Sequence, residues 1–228
     1  MCKILDKLQS ILYYFLHMKA RDLFLTFEKR RHLNSEAKRA IARRALDMVG
    51  PEEEIFLGAG TTVAQFGEEL ARSGKHFMLR IWTNNLFVVS LWLAKYEAMF
   101  SENFVGITAG EVSRKNLSIV NLVAAFSRIE KAVIGTPGIT AKGLLSDDIY
   151  TVQQTEFLIR KVRRVIILAD SSKVGRECTY TSRAMRMIRL DIKAGREYTL
   201  VTDAGAASGQ ARETVERLRE SGIHVEMV

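Results

Sequence analysis

The chain has 228 residues, 47% of them apolar and 26% charged, the make-up of a globular protein with a core large enough to need no staples. This excludes disordered, collagen-like and coiled-coil classes, and two cysteines, Cys2 and Cys178, exclude a disulfide framework and fit a reducing compartment. Lys and Arg outnumber Asp and Glu by 34 to 26, a net charge of +8 that suits an anionic partner.

The excess is concentrated early: residues 1–50 carry eleven Lys or Arg against five Asp or Glu. In residues 1–32, Leu5, Leu8, Leu12, Phe15, Leu16, Leu23, Phe24 and Phe27 recur at mostly helical spacing, which predicts amphipathic helices. Asp6 and Lys7 interrupt the N-terminal stretch too early for the apolar region of a signal peptide, and the apolar run Ile11–Met18 is far too short to span a membrane. A cytoplasmic protein without a membrane partner is expected. Residues 1–34 are therefore read as a basic helical segment and residues 35–228 as the main domain. Asn34-Ser35 offers a helix cap, and the helix from Glu36 to Val49 is predicted to stop at Gly50-Pro51.

From Glu54 onward, short apolar runs alternate with helical stretches. The predicted strands are Ile55–Leu57, Phe77–Trp82, Phe104–Thr108, Lys131–Ile134, Val165–Ala169, Tyr198–Thr202 and Ile223–Val228. The predicted helices are Val63–Ser73, Leu86–Tyr96, Val120–Arg128, Thr155–Arg160 and Ser208–Ser221. Strand runs this rich in Val, Ile and Leu are covered on both faces, so the pattern predicts an α/β fold: three layers around a doubly wound, mostly parallel sheet.

Ligands of such sheets gather beyond the carboxyl ends of the strands. The first loop there is Gly58-Ala59-Gly60-Thr61-Thr62, opening a helix. Its glycines let the backbone approach an anion, and the helix N-terminus supplies free N–H groups and positive dipole. It is neither a P-loop nor a complete dinucleotide fingerprint. Thr83-Asn84-Asn85, then Gly135-Thr136-Pro137-Gly138, then Asp170-Ser171-Ser172-Lys173 follow later strands. Lys173 would neutralise a phosphate and Asp170 would accept sugar hydroxyls. No constellation predicts a metal or a cofactor. The four histidines lie in no catalytic arrangement, Trp82 and Trp92 read as core, Met185, Met187 and Ile188 as a buried edge, and Cys178 as a structural thiol.

In their order, Gly58-Ala59-Gly60-Thr61-Thr62, Thr83-Asn84, Ile134-Gly135 with Gly138-Ile139, Gly143-Leu144 and Ala169-Asp170-Ser171-Ser172-Lys173 resemble the effector-sensing domain of DeoR-type bacterial sugar regulators. Arg30 to Ala45 is similar to that family's lead-in helix, and the resemblance runs to about Asp203. It implies a ribose-5-phosphate-isomerase-like fold, a homo-oligomer and a phosphorylated sugar as effector, with the phosphate on Gly60, Thr61 and Thr62 and with Gly58, Thr83, Asn84, Gly135, Gly138, Asp170 and Lys173 around the ligand. The family usually has an acidic residue where Gly58 stands and a lysine where Arg160 stands. The winged helix-turn-helix that precedes the lead-in helix in the family is expected to be absent here, or replaced by residues 1–29. Two alternatives stay open. One is an aldose–ketose phosphate isomerase with Glu156, Asp148 or Asp170 as base and Lys173 as electrophile, although Gly135-Thr136-Pro137-Gly138 lacks the paired aspartates typical of those enzymes. The other is a full repressor reading DNA with Arg30, Arg31, Lys38, Arg39, Arg43 and Arg44.

Overall fold

A computed structural model describes residues 27–74, 78–113, 117–123 and 129–228. The expectations for residues 1–26, including Cys2, His17 and most of the amphipathic segment, and for His76 and Phe77, lie outside the described residues.

Seven strands form the central sheet, all neighbours parallel: β1 (Glu54–Leu57), β2 (Arg80–Thr83), β3 (Phe104–Ile107), β6 (Ile129–Gly135), β9 (Val162–Leu168), β11 (Glu197–Thr202) and β12 (His224–Met227), in the order β12-β11-β9-β6-β1-β2-β3. The helices are α1 (Ser35–Leu46), α2 (Thr61–Arg72), α3 (Leu86–Lys95), α4 (Ala98–Glu102), α5 (Ile149–Ile159), α6 (Met185–Lys193) and α7 (Gly209–Glu220). The three-layer, doubly wound sheet expected from the strand pattern is thus what the chain forms.

The period-2 geometry of the strands sorts their apolar residues between two cores. Ile55, Leu57, Val133, Ile166, Leu168 and Val201 pack with Ile41, Ala42 and Ala45 of α1, Phe66 and Leu70 of α2, and Trp92 of α3. Phe56, Ala132, Ile134, Val165, Ile167 and Leu200 turn to the other face, against Leu158 of α5, Ile188 of α6, and Val215 and Leu218 of α7. Burial on both faces is why these strands are nearly continuous apolar runs.

Three departures from the sequence reading are antiparallel or helical details. Strand β5 (Ser118–Val123), paired antiparallel with β4 (Ala109–Ser113), takes up the first four residues of the helix expected at Val120–Arg128; residues 124–128 lie outside the described residues. Ser-Ile-Val-Asn-Leu-Val places apolar residues where either period is satisfied, and its β-branched side chains with a partner strand close by favour the extended form. A small sheet of β7 (Gly138–Thr140), β8 (Gly143–Ser146) and β10 (Tyr180–Ala184) was not anticipated. Met185 to Ile188, read as an edge, begins helix α6, with Met185 and Ile188 inward. Among the described residues, no helix is long and apolar enough to cross a membrane.

The chain steps from β1 outward to β2 and β3, then returns to lay β6 on the other side of β1. The strand order therefore reverses between β1 and β6. At such a switch point the loops diverge and leave a crevice at the carboxyl edge.

Candidate functional site

A cavity of about 250 Å³ opens at this crevice. One wall is the loop from β1 into α2. Gly60 stands before the helix at φ 113° and ψ 158°, a conformation that only glycine adopts without strain. The first intrahelical bond is Ala64 N–H to the Gly60 carbonyl, 2.9 Å, so the N–H groups of Thr61, Thr62 and Val63 precede the ladder. No side chain caps this end, and no acid lies in its first turn. Ala59, Gly60, Thr61 and Thr62 all line the cavity.

Gly58, Thr83 and Asn84, expected at the ligand, stand behind this loop instead. Gly58 donates its N–H to the Val133 carbonyl at 2.9 Å, and a Cβ on it would lie 3.3 Å from that oxygen, so glycine here serves the close packing of β1 on β6. Thr83 donates its hydroxyl to the Leu57 carbonyl at 2.8 Å, and Asn84 its amide to the Ile119 carbonyl at 3.0 Å. Their neighbour Asn85 donates to the carbonyls of Gly58 and Gly60, at 3.1 and 3.3 Å, and caps α3 through Val88 N–H. This group fixes the curvature of the loop whose outer surface faces the cavity.

The floor comes from β6, where Gly135, Thr136 and Pro137 line the cavity. Gly138 does not line it: a Cβ there would fall 2.4 Å from the Arg176 carbonyl, so its glycine permits the approach of the chain after β9. Thr136 donates its hydroxyl to the Gly138 carbonyl at 2.7 Å and holds the turn.

The far wall carries the charge. Asp170, 1% exposed, follows β9; its Oδ1 accepts from the Asn34 amide at 3.0 Å, from Ser172 N–H at 3.2 Å and from the Ser172 hydroxyl. Lys173 lines the same wall and donates to the Ser172 hydroxyl at 3.1 Å. Arg30, Leu33, Asn34 and Lys38 bring the lead-in helix to the cavity, contacts that were not read from the sequence as site contacts. Asn34 precedes α1 in the left-handed conformation at φ 53° and does not cap it; its side chain goes to Asp170. Lys38 is 4% exposed, with its ammonium donating to the Arg30 carbonyl. Burial lowers the Lys38 ammonium to about 8, with Lys173 and Arg30 adding repulsion against the attraction of Asp170.

Of the expected site residues, the cavity therefore gathers Gly60, Thr61, Thr62, Gly135, Asp170 and Lys173. Of the three carboxylates considered as an isomerase base, only Asp170 lines it. Glu156 pairs with Arg183 at 2.8 Å and Arg160 at 3.6 Å, and Asp148 caps α5 by accepting from Thr151. The cations considered as a DNA stripe are mostly matched within the fold: Arg39 and Arg43 approach Glu69 at 3.8 and 3.2 Å, Arg44 meets Glu226 at 2.9 Å, and Arg31 meets Glu28 at 3.1 Å. Among the described residues, no three His, Cys, Asp or Glu side chains gather as a metal site would.

An uncapped helix N-terminus, a pair of hydroxyls and a lysine-bearing wall meet at the switch point of a parallel sheet, an arrangement whose dipole and charge favour negative groups. Residues 33–192 match the DeoR C terminal sensor domain, and the chain belongs to that family. It is similar to the glycerol-3-phosphate regulon repressor of Escherichia coli (strain K12), 27% identical over 166 residues, covering 70% of this chain and 62% of that one. It is also similar to the lactose phosphotransferase system repressor of Staphylococcus epidermidis (strain ATCC 35984), 27% identical over 143 residues, covering 62% and 55%. The chain thus spans only part of the length of the curated relatives it matches. Among solved structures, ribose 5-phosphate isomerase A from Neisseria gonorrhoeae aligns with a TM-score of 0.42 at 19% identity, covering 60% of this chain and 52% of that one.

Proposed function

We propose that the domain is the sensor of a DeoR-type transcriptional regulator, that its effector is a phosphorylated sugar, and that the cavity between α2, β6 and the turn after β9 is where that effector binds. The observation that carries the reading is the uncapped start of α2, with Gly60, Thr61 and Thr62 facing the same cavity as Lys173. A helix N-terminus favours negative charge through its dipole and its spare N–H groups, and a lysine across the cavity adds a point charge. The repressors it resembles, named for glycerol 3-phosphate and for a phosphotransferase system, support the same ligand class. Occupancy would act in the cytoplasm on a homo-oligomer and, through a DNA reader, on transcription. Phe104, Ile107 and Val112, exposed on and beside edge strand β3, are apolar surface for such assembly.

The sensor reading is preferred to isomerase chemistry because a proton shuttle needs a carboxylate free to take the proton at the substrate carbon. Glu156 and Asp148 are engaged away from the cavity, and one oxygen of Asp170 already accepts from Asn34 and Ser172.

Thermal-shift titration of the full chain with sugar phosphates and their unphosphorylated counterparts tests the reading. A ligand that binds only the native state adds about 2.7 kcal/mol at a hundredfold excess over Kd, so a true effector is visible. Stabilisation by phosphates alone, weakened by Thr61→Ala and by Lys173→Ala and without isomer conversion, is expected. Isomer conversion overturns the sensor reading in favour of an enzyme; unchanged affinity in both variants moves the site elsewhere.

A further inference from the structure

The cations of α1 are mostly matched within the fold; those of a second basic stretch are not. Residues 160–196 hold eleven Lys or Arg against three Asp or Glu, an excess as large as that of the whole chain. Four of these cations stand within Arg160-Lys161-Val162-Arg163-Arg164, where α5 passes into β9, a density found in segments that meet nucleic acid and other polyanions. Three more recur along α6 at Arg186, Arg189 and Lys193, three and four residues apart, the spacing of one helix face. Together with Leu190 and Ala141 these three border an open hollow with no acid in its lining.

The fold joins the two groups. Arg196, in the turn that follows α6, donates to the Arg160 and Val162 carbonyls at 3.3 and 3.2 Å, so the C-terminal end of α6 stands beside the start of β9. Arg163 lies two residues before Val165, and the period of the strand gives it the face of the sheet on which α6 packs. Some charges here are answered: Arg160 approaches Glu156 at 3.6 Å, Arg164 meets Glu197 at 2.9 Å, and Arg196 meets Asp191 at 2.5 Å. Arg163, Arg186, Arg189 and Lys193 are exposed, and among the described residues no carboxylate lies within ion-pairing distance of any of them. Arg189 donates instead to the Ser221 hydroxyl at 2.9 Å. Four unanswered charges of one sign on one surface direct their field outward, toward an anionic partner.

Resting on the reading of the chain as part of a transcriptional regulator, and not on what fills the cavity, we propose that Arg163 and the α6 stripe Arg186, Arg189 and Lys193 hold the phosphate backbone of duplex DNA without regard to its sequence. The sensor domain then touches DNA itself. From Arg186 to Lys193 the helix advances about 10 Å at 1.5 Å per residue, the span of about three phosphates of one strand. A protein partner is held chiefly by buried aromatic or aliphatic anchors, and a membrane surface by a row of apolar side chains. Leu190, 52% exposed, is the only exposed large apolar side chain of α6, so the surface offers charge and little else.

Fluorescence anisotropy of the full chain with a labelled duplex of arbitrary sequence, between about 50 and 200 mM NaCl, reads the contact as the slope of log affinity against log salt. The fourfold variant Arg163→Gln, Arg186→Gln, Arg189→Gln, Lys193→Gln is expected to bind at least ten-fold more weakly at the low-salt end and to lose about three to four units of slope. Arg186→Gln with Lys193→Gln should lose about two units, and makes the test if the fourfold variant fails to fold. Undetectable binding of the duplex overturns the proposal. So does a slope that both variants leave unchanged, which assigns the DNA contact to another part of the chain. Tighter binding to polyglutamate, or to vesicles of phosphatidylserine and phosphatidylcholine, than to the duplex at equal salt overturns it in favour of an acidic protein or a membrane. Stabilisation of the fourfold variant by sugar phosphates is expected to match that of the native chain, so this surface and the cavity reading stand or fall separately.

Discussion

Arg183 and Lys38 are buried to the same degree, each 4% exposed, yet the protein surrounds them differently. Arg183 donates to Asp191 through two nitrogens, at 2.6 and 3.0 Å, and to Glu156 at 2.8 Å. Asp191 in turn accepts from Tyr198 at 2.6 Å and Arg196 at 2.5 Å. Burial alone would raise the Asp191 carboxyl, but the Tyr198 hydroxyl and the two guanidinium groups hold it below the ordinary range. Lys38 has a backbone carbonyl, the attraction of Asp170 and two neighbouring cations. A cluster of close ion pairs fastens α6 to β10 and β11; a looser one borders a cavity. Local consistency is often relaxed at functional sites, and the difference between these two cations is in keeping with the cavity proposed above as the site.

The sharpest way to break the comparison is to remove the satisfied partner. Arg183→Met leaves Asp191 and Glu156 short of their main donor in a buried setting, and a loss of about 3–5 kcal/mol in urea unfolding is expected. Ligand affinity should stay unchanged at temperatures where the variant is folded. A loss under about 1 kcal/mol would mean that water reaches the cluster and the contrast is illusory.

Lys38 should show the opposite sign. With its folded value near 8 and its ordinary value at 10.5, the unfolded chain binds more protons between those limits. Stability then rises with pH across that window, because the penalty of burying the charge is present below about 8 and vanishes as the unfolded lysine also deprotonates. Relative to Lys38→Met, the native chain should gain on the order of 2–3 kcal/mol from pH 8 to 10.5. Parallel stability curves for the two proteins would show that Lys38 is solvated after all. Affinity for a phosphorylated ligand should fall over the same range, as Lys38 loses its charge facing Asp170, Lys173 and Arg30.

Gly60 tests the cradle rather than the charges. A Cβ there meets nothing within 4 Å, so Gly60→Ala clashes with no neighbour and acts through backbone strain at φ 113°. About 1–3 kcal/mol of destabilisation is expected, together with weaker phosphate binding as the loop relaxes. Retained stability and affinity would place the phosphate away from this turn.

These cases also show what could be read in advance. The sheet was legible because Ile, Val and Leu runs covered on both faces leave little alternative, and the cradle because Gly60-Thr61-Thr62 opens a helix directly after a strand. Gly138 and Gly58 misled for a physical reason: glycine at a strand end is required equally by close packing, here against the Arg176 and Val133 carbonyls, and by a ligand. Thr83 and Asn84 were drawn toward the site by their polarity, which is spent on the Leu57 and Ile119 carbonyls. Lys38 was misassigned to a DNA-facing stripe, although its position was available: it sits three residues before Ile41 and seven before Ala45, on the apolar face of α1. Its meeting with Asp170 and Lys173 depends on a docking of α1 that no local pattern encodes.

The smallest effect belongs to the remaining basic residues of α1, and it bears on whether this face reads DNA. Arg43 and Arg44 have well-exposed side chains, and their partners Glu69 and Glu226 are more buried than they are. The Arg44 guanidinium holds the Glu226 carboxyl below its usual range, with His224 assisting. Charges answered in this way contribute little field outward, and exposed pairs stabilise by only about 0–1 kcal/mol. Arg43→Ala and Arg44→Ala should each change unfolding free energy by less than about 1 kcal/mol and leave any nonspecific DNA affinity unaltered. A protein using them as phosphate contacts would behave otherwise, losing roughly one unit of salt-dependence slope per residue removed. That slope, measured for the full chain and the double variant, separates a basic face that binds DNA from one whose charge is already spent inside the fold.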